Sequence, residues 1–251
     1  MKIALITGAT SGIGKACAEK FAKRGYNLII TGRRNERLKK IKLELESKNI
    51  CQVLALCFDI REKEEVTRVM QSLDNNWINI DLLINNAGLA LDLKPIQDGD
   101  FNDWDTMIDT NIKGLLYISK LVSEIMVKKG SGHIINIGSI AGKEAYPNGN
   151  VYSATKHAIE GLTKAMRLDL FRHGIKVSQI APGAVETEFS DVRFKGDKDR
   201  AKKVYDGYQP LTGEDIAESV YFVATQPDHV NINDLLIMPM AQANAITFDK
   251  K

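Results

Sequence analysis

The chain has 251 residues, 44% of them hydrophobic, and its 34 Lys and Arg nearly balance 32 Asp and Glu for a net charge of +2. That length and apolar content suit one large α/β domain with a sizeable core, and no linker divides it; the missing basic run speaks against a nucleic-acid partner. No apolar stretch can span a bilayer, and Cys17, Cys51 and Cys57 form neither Cys-x-x-Cys nor a zinc-spaced cluster, so a soluble, unprocessed protein of the reducing cytoplasm is expected.

Short β-rich runs near 2-7, 27-31, 51-58, 81-85, 132-138, 175-180 and 233-238 alternate with amphipathic helices near 12-24, 34-48, 61-74, 101-129, 150-173 and 212-226. Such alternation predicts an α/β fold: a doubly wound, parallel, seven-stranded sheet with helices on both faces. The first strand leads into Thr7-Gly8-Ala9-Thr10-Ser11-Gly12-Ile13-Gly14, a strand, a glycine-rich turn and a helix start. Glycine lets the backbone approach a pyrophosphate, and the helix N-terminus offers unpaired N–H groups, so Gly8, Gly12 and Gly14 predict a dinucleotide cradle; the other reading is a plain tight turn. After the second strand, where a carboxylate would hold the ribose hydroxyl of NAD, stand Gly32, Arg33 and Arg34. Two guanidiniums fit a 2′-phosphate, which predicts NADP(H) over NAD(H) unless both are simply solvated.

Polar residues also mark the ends of later strands: Asp59, Asn85-Asn86-Ala87-Gly88, Ser139 and Pro182-Gly183. Each is an ordinary turn former alone, but together they line one sheet edge, where ligands of open α/β sheets bind. Within helix 101-129, Asn111 falls on the stripe made by Trp104, Met107, Ile108, Leu115, Ile118, Val122 and Ile125. A buried amide needs partners, either a structural hydrogen bond or an ordered water in a proton relay.

Tyr152 and Lys156 lie at i and i+4 of helix 150-173, on one face, so phenol and ammonium can reach one reacting centre. Lowering a phenol pKa by about three units takes roughly 4 kcal/mol, and an ammonium about 4 Å away supplies a similar amount at an effective dielectric near ~20, with desolvation opposing it. Residues 186-210 are polar and lack a clean period, which reads either as a mobile flap over the site or as an exposed loop. Helix 212-226 opens on Thr212 and Asp215 in a capping-box pattern and stops before Pro227. His133, His157, His173 and His229 are isolated and read as structural or surface residues.

With the glycine-rich turn, Asn85-Asn86-Ala87-Gly88, Asn111, Ser139, Tyr152-x-x-x-Lys156 and Pro182-Gly183 in order, the whole chain resembles the classical short-chain dehydrogenases/reductases. Pro182 to Ser190, Val192-Arg193-Phe194 and His229 to Asn233 are similar to the branch of NADP-dependent 3-hydroxy acid dehydrogenases acting on serine and allo-threonine. The resemblance implies a single-domain Rossmann fold and a tetrad of Asn111, Ser139, Tyr152 and Lys156. Tyr152 serves as general acid/base, Lys156 lowers its pKa and holds the nicotinamide ribose, Ser139 bonds the substrate oxygen and Asn111 positions a water. Gly8, Ser11, Gly12, Ile13, Gly14, Arg33, Arg34, Asp59, Asn86, Pro182, Gly183, Val185 and Thr187 match cofactor-lining positions, and no metal is implied. Arg193 is the candidate cation for a substrate carboxylate, unless it is a solvated loop charge. The implied assembly is a homotetramer paired through helices 101-129 and 150-173 and the C-terminal region. Alternatives are a broader carbonyl, 3-oxoacyl or hydroxysteroid reductase, and a non-catalytic NADP(H) sensor.

Overall fold

Strand residues that point alternately to two sides divide the core in two. The computed structural model describes every residue from Met1 to Lys251. Its strands are β1 (Ile3–Ile6), β2 (Asn27–Gly32), β3 (Val53–Cys57), β4 (Leu82–Asn85), β5 (Gly132–Ile137), β6 (Ile175–Pro182) and β7 (Asp234–Ile237). They form one seven-stranded sheet in the order β3-β2-β1-β4-β5-β6-β7, parallel throughout. Ala4, Ile6, Leu28, Ile30, Leu82 and Ile84 face one apolar layer, while Ile3, Leu5, Ile29 and Leu83 face the other. This is the period-two pattern of a sheet covered on both sides.

The first layer is closed by α1 (Gly12–Lys23), α2 (Asn35–Lys48) and α9 (Gly213–Ala224), through Phe21, Leu38, Ile41 and Val220. The second is closed by α3 (Lys63–Gln71) and α5 (Leu115–Lys129), through Val66, Met70, Ile118 and Val122. Helix α9 starts with the capping box expected of Thr212 and Asp215. A polar ladder crosses the second layer: Asn85 Nδ2 donates to Ser119 Oγ and Asn136 Oδ1, each at 2.8 Å, and Asn136 Nδ2 donates to Thr163 Oγ1 at 2.9 Å. These amide donors tie sheet to helices and fix their register, with Asn85 Oδ1 alone left without a partner in the ladder. His133 is buried and bonded to Ser178 at 2.8 Å, a structural place.

Two expectations are refined. The single helix expected over 101-129 is α4 (Phe101–Ile108) and α5 joined by a π-helical stretch, Asp109–Gly114, with Asn111 inside it. The extra residue of a π-turn shifts the side-chain stripe and re-aims the amide, which no apolar period can encode. The polar stretch 186-210 holds two short helices, α7 (Phe189–Arg193) and α8 (Lys198–Lys203), too short to show a period. Helix α6 (Asn150–Leu170) continues as a 3-10 turn to His173.

The order β1, β2, β3 runs one way from the centre, and the chain then crosses to β4 on the other side of β1. That reversal leaves a crevice at the carboxyl ends of β1 and β4, into which the glycine-rich turn opens. The fully buried Phe21 anchors this half of the sheet, meeting Tyr26 and Tyr221 edge-on with ring centroids 5.0 and 5.5 Å away. Phe21→Ala should therefore lower unfolding free energy by about 3–5 kcal/mol, measured by urea denaturation; a loss below about 1 kcal/mol would contradict this packing.

Candidate active site

Gly8, Gly12 and Gly14 do different work in the turn. Gly8 has φ +67°, and a Cβ there would stand 2.9 Å from Ala87 Cα. A Cβ on Gly14 would stand 2.4 Å from both Gly8 O and Asn86 Nδ2, so only glycine lets α1 start against the turn. Helix α1 has no side-chain cap from Ser11 and no acidic residue in its first turn. Its leading N–H groups thus remain available to an anion. Asn86 locks the turn from β4: its Nδ2 donates to Thr7 O at 2.9 Å and Gly8 O at 3.2 Å, while Thr7 Oγ1 accepts from the backbone N–H of Asn86 and Ala87 at 3.0 and 2.9 Å.

A cleft of about 330 Å³ runs from this turn to α6. Of the residues singled out from the sequence, Gly8, Ser11, Gly12, Ile13, Arg33, Arg34, Asp59, Asn86, Ser139, Tyr152, Lys156, Pro182, Gly183, Val185 and Thr187 line it. Gly14, Asn111 and Arg193 stand behind or above its wall. The cleft also takes in Glu188, Phe189 and Val192, named from the sequence only within the stretches that carry the resemblance, and Phe58, Ile60 and Leu89, which the sequence reasoning did not single out. Apolar residues just past strand ends carry no local mark that separates a cleft wall from a core.

Asn111 is 1% exposed, and its amide is used within the chain. Oδ1 accepts from Leu89 N at 2.9 Å, and Nδ2 donates to Leu89 O at 2.8 Å and Thr155 Oγ1 at 3.0 Å. Both donors are satisfied, leaving one lone pair of Oδ1. The amide thus ties the loop after β4 to α6.

Tyr152 and Lys156 share the inward face of α6, with the Lys156 Nζ 5.8 Å from the phenol ring centroid and donating to Ile137 O at 2.9 Å. Two N–H groups of the ammonium remain for other acceptors. Ser139 follows β5 and caps a 3-10 turn, its Oγ accepting from Ala141 N at 3.1 Å. The expectation that Lys156 lowers the phenol pKa is not met here. Burial, with Tyr146 adding to it, pushes Tyr152 up to about 12 against the opposing influence of Arg193 and Ser139. Burial likewise brings the Lys156 ammonium down to about 8. The magnitudes considered from the sequence were comparable, and desolvation prevails.

Arg193 lies over the site as the last residue of α7. Its guanidinium carbon is 5.0 Å from the Tyr152 ring centroid, 5.3 Å from that of Phe189 and 5.9 Å from that of Tyr146. Nη2 donates to Tyr146 Oη at 2.7 Å, whereas the buried Nε has no partner. The guanidinium is thus held against three aromatic rings with one donor unmet. On the cofactor side, Arg34 is anchored to Thr10 and Ser11 and paired with Glu188, and Arg33 lies 3.8 Å from Asp59. Asp59 is turned chiefly to Arg61, with contacts of 2.7 to 3.1 Å.

The family model for short chain dehydrogenases matches residues 2–198. An NADP-dependent 3-hydroxy acid dehydrogenase of Salmonella typhi is 48% identical over 244 residues, 97% of each chain. Sulfoacetaldehyde reductase 2 of Chromohalobacter salexigens is 44% identical over 242 residues, 96% of this chain and 95% of its own. Among solved structures, the closed form of serine dehydrogenase complexed with NADP+ superimposes with a TM-score of 0.92 at 45% identity, covering 99% of both chains.

The depressed Lys156 pKa fixes a pH dependence of folding. Its folded value, about 8, lies below the ordinary 10.5, so between these pH values the unfolded state binds more protons. Stability attributable to this side chain therefore rises with pH across that window, by up to roughly 3 kcal/mol. Urea denaturation of the native chain and Lys156→Met should show the native chain gaining on the variant from pH 8 to 10.5; a constant difference would contradict the buried ammonium.

Proposed function

The chain belongs to the short-chain dehydrogenase family, and from that premise we propose that this NADP-dependent oxidoreductase reversibly oxidises the 3-hydroxyl of small 3-hydroxy acids such as serine, allo-threonine and 3-hydroxyisobutyrate. One observation carries the substrate class: Arg193, the cation with the unmet donor, lies over the ring of Tyr152, the residue proposed to move the proton. A carboxylate on Arg193 leaves the adjoining carbon chain beside the phenol. The relatives named for 3-hydroxy acids and sulfoacetaldehyde support a compact substrate bearing an anionic group.

The cleft fits a dinucleotide, since a Cβ would fill the cradle at Gly14 and the start of α1 is uncapped. Gly8, Ser11, Gly12 and Ile13 would hold the pyrophosphate, and Arg33 and Arg34 the 2′-phosphate. Asp59 and Asn86 would line the adenosine side, and Pro182, Gly183, Val185 and Thr187 the nicotinamide side. NADP supplies the hydride acceptor in oxidation and NADPH the donor in reduction. In reduction Tyr152 gives its proton to the carbonyl oxygen, and in oxidation it takes the hydroxyl proton, while Ser139 orients that oxygen. With its pKa raised by burial, Tyr152 is protonated at neutral pH, the form that donates in reduction. Lys156, with one N–H on Ile137 O, would offer its two remaining N–H groups to the nicotinamide ribose. Asn111 positions the wall by clamping Leu89 to Thr155, with the free lone pair of Oδ1 left for a water.

Residues 186-210 are proposed as the substrate flap of a single catalytic domain. Exposed Phe101, Leu116, Leu168, Phe171 and Phe222 are read as subunit contacts of a homotetramer. No helix is long and apolar enough to cross a membrane, and all three cysteines are free, which agrees with a cytoplasmic setting.

Initial rates with NADP and NAD against serine, allo-threonine, 3-hydroxyisobutyrate, 3-hydroxypropionate and simple secondary alcohols test the whole reading. Tyr152→Phe should lower kcat by about 10²–10⁴-fold while NADPH binding, followed by nicotinamide fluorescence, persists. Turnover close to native in that variant removes Tyr152 from the proton path. Arg193→Ala should raise KM for the acids about 10–100-fold, as losing a charge-assisted hydrogen bond requires, and leave uncharged alcohols nearly unchanged. Equal effects on both classes would remove the carboxylate role.

A further inference from the structure

The stretch Gly32-Arg33-Arg34 at the end of β2 contains no carboxylate to oppose a 2′-phosphate, yet the fold delivers one from far along the chain. Glu188, 154 residues from Arg34, accepts from its Nη1 at 2.7 Å. Arg37 Nη1 meets both oxygens of the same carboxylate, at 2.7 and 2.8 Å. The rest of the Arg34 fork is fixed on the glycine-rich turn, with Nε 3.0 Å and Nη2 2.7 Å from Thr10 Oγ1 and Nη2 2.7 Å from Ser11 Oγ. The guanidinium is thereby anchored at the rim of the cleft, and Glu188 lines that same cleft.

A phosphate monoester and a carboxylate ask the same thing of a guanidinium, a two-pronged set of N–H donors. They also repel one another, so sharing one small cationic cluster is unfavourable. We propose that Glu188 is an internal stand-in for the 2′-phosphate of NADP, occupying donors of Arg34 and Arg37 that the phosphate takes over by exchange. The inference rests on the NADP reading above and adds a residue that sets cofactor preference. With Glu188 in place, the cluster of Arg33, Arg34 and Arg37 is partly neutralised; once the phosphate displaces the carboxylate, the cations are neutralised by the ligand.

The position of Glu188 in the chain gives the exchange a second consequence. Helix α7 begins at the next residue and carries Phe189 and Arg193, the two side chains stacked at the ring of Tyr152. Freeing Glu188 releases the first turn of that helix as the phosphate arrives. NAD, which lacks the phosphate, leaves the carboxylate on its arginines and α7 tethered. Cofactor identity is thereby linked to the mobility of the residue proposed to grip the substrate acid.

The competing arrangement is a strap in which Glu188 closes over bound cofactor and retains it, and it predicts the opposite sign. Calorimetric titration of adenosine 2′,5′-bisphosphate and of 5′-AMP into the full-length native protein, Glu188→Gln and Glu188→Ala separates them. Exchange predicts that both variants bind the bisphosphate about three- to ten-fold tighter at low ionic strength, with the gain shrinking as salt rises. Binding of 5′-AMP should stay within about two-fold in both variants, since it lacks the competing phosphate. Unchanged or weaker bisphosphate binding in both variants overturns the proposal. A native protein that binds the bisphosphate no tighter than 5′-AMP removes the NADP reading itself, and this proposal with it.

Discussion

The hydrogen-bonded clasp between Thr7 and Asn86 is the constraint on which the site depends. It joins the ends of β1 and β4, the two strands between which the sheet reverses its order, and its four bonds of 2.9 to 3.2 Å are all internal to the fold. The loop it begins is pinned a second time three residues later, where Asn111 grips both the N–H and the carbonyl of Leu89 and reaches Thr155 on α6. The segment 86–89 is therefore a spacer of fixed length with one end on the glycine-rich turn and the other on the helix of Tyr152 and Lys156. The separation between the glycine-rich turn and Tyr152, the proposed proton donor, follows from two asparagine side chains.

Desolvation then decides what the paired side chains do. Tyr152 and Lys156 are both buried, and burial disfavours the phenolate and the ammonium alike. Burial thus works against a preformed ion pair, pushing the phenol toward its protonated form and making the ammonium easier to deprotonate. Arg193, stacked on the same ring, is the nearer source of positive influence on the phenol. Burial alone therefore leaves the phenol protonated, and only added positive charge or hydrogen bonds to its oxygen would ease loss of the proton.

Much of this architecture was legible in the residues because it is local. The period-two strands, the glycine spacing before α1 and the Thr212 cap each involve neighbours in sequence, and the structure realises them within a few residues of the expected bounds. Asn111 stood out for a related reason, as an amide on an apolar stripe. Its partners did not, because Leu89 and Thr155 are brought to it by the π-turn and by the crossing of α6. The same limit hid Glu188. Residues 32 to 34 correctly showed an absence of nearby carboxylates, but the sheet order places Glu188 against Arg34 from another strand's end. Pairings across 154 positions leave no periodic trace.

The forces holding residues 186-210 differ in kind from those holding the sheet. The layers are closed by side chains such as Leu5, Ile29 and Ile118 with no exposed surface, whose burial contributes roughly 1.5–3 kcal/mol each. The proposed flap meets the body largely through charged contacts: Glu188 with Arg34 and Arg37, Lys195 with Asp103 at 2.8 Å, and Arg200 with Asp92 at 3.5 Å. The two Glu188 pairs, exposed on both sides, contribute about 0–1 kcal/mol each and weaken with salt, whereas the Asp103 and Asp92 carboxylates are largely buried. Three backbone bonds of 2.8 Å, Asp92 N to Arg193 O, Glu186 N to Leu211 O and Lys251 N to Gly207 O, add to the seat, with the Arg193–Tyr146 bond and the packing of Phe194 and Phe189. In the proposed reading, a segment held largely by such exchangeable contacts opens while α6 stays fixed, so that substrate would enter without disturbing the geometry set by Asn86 and Asn111.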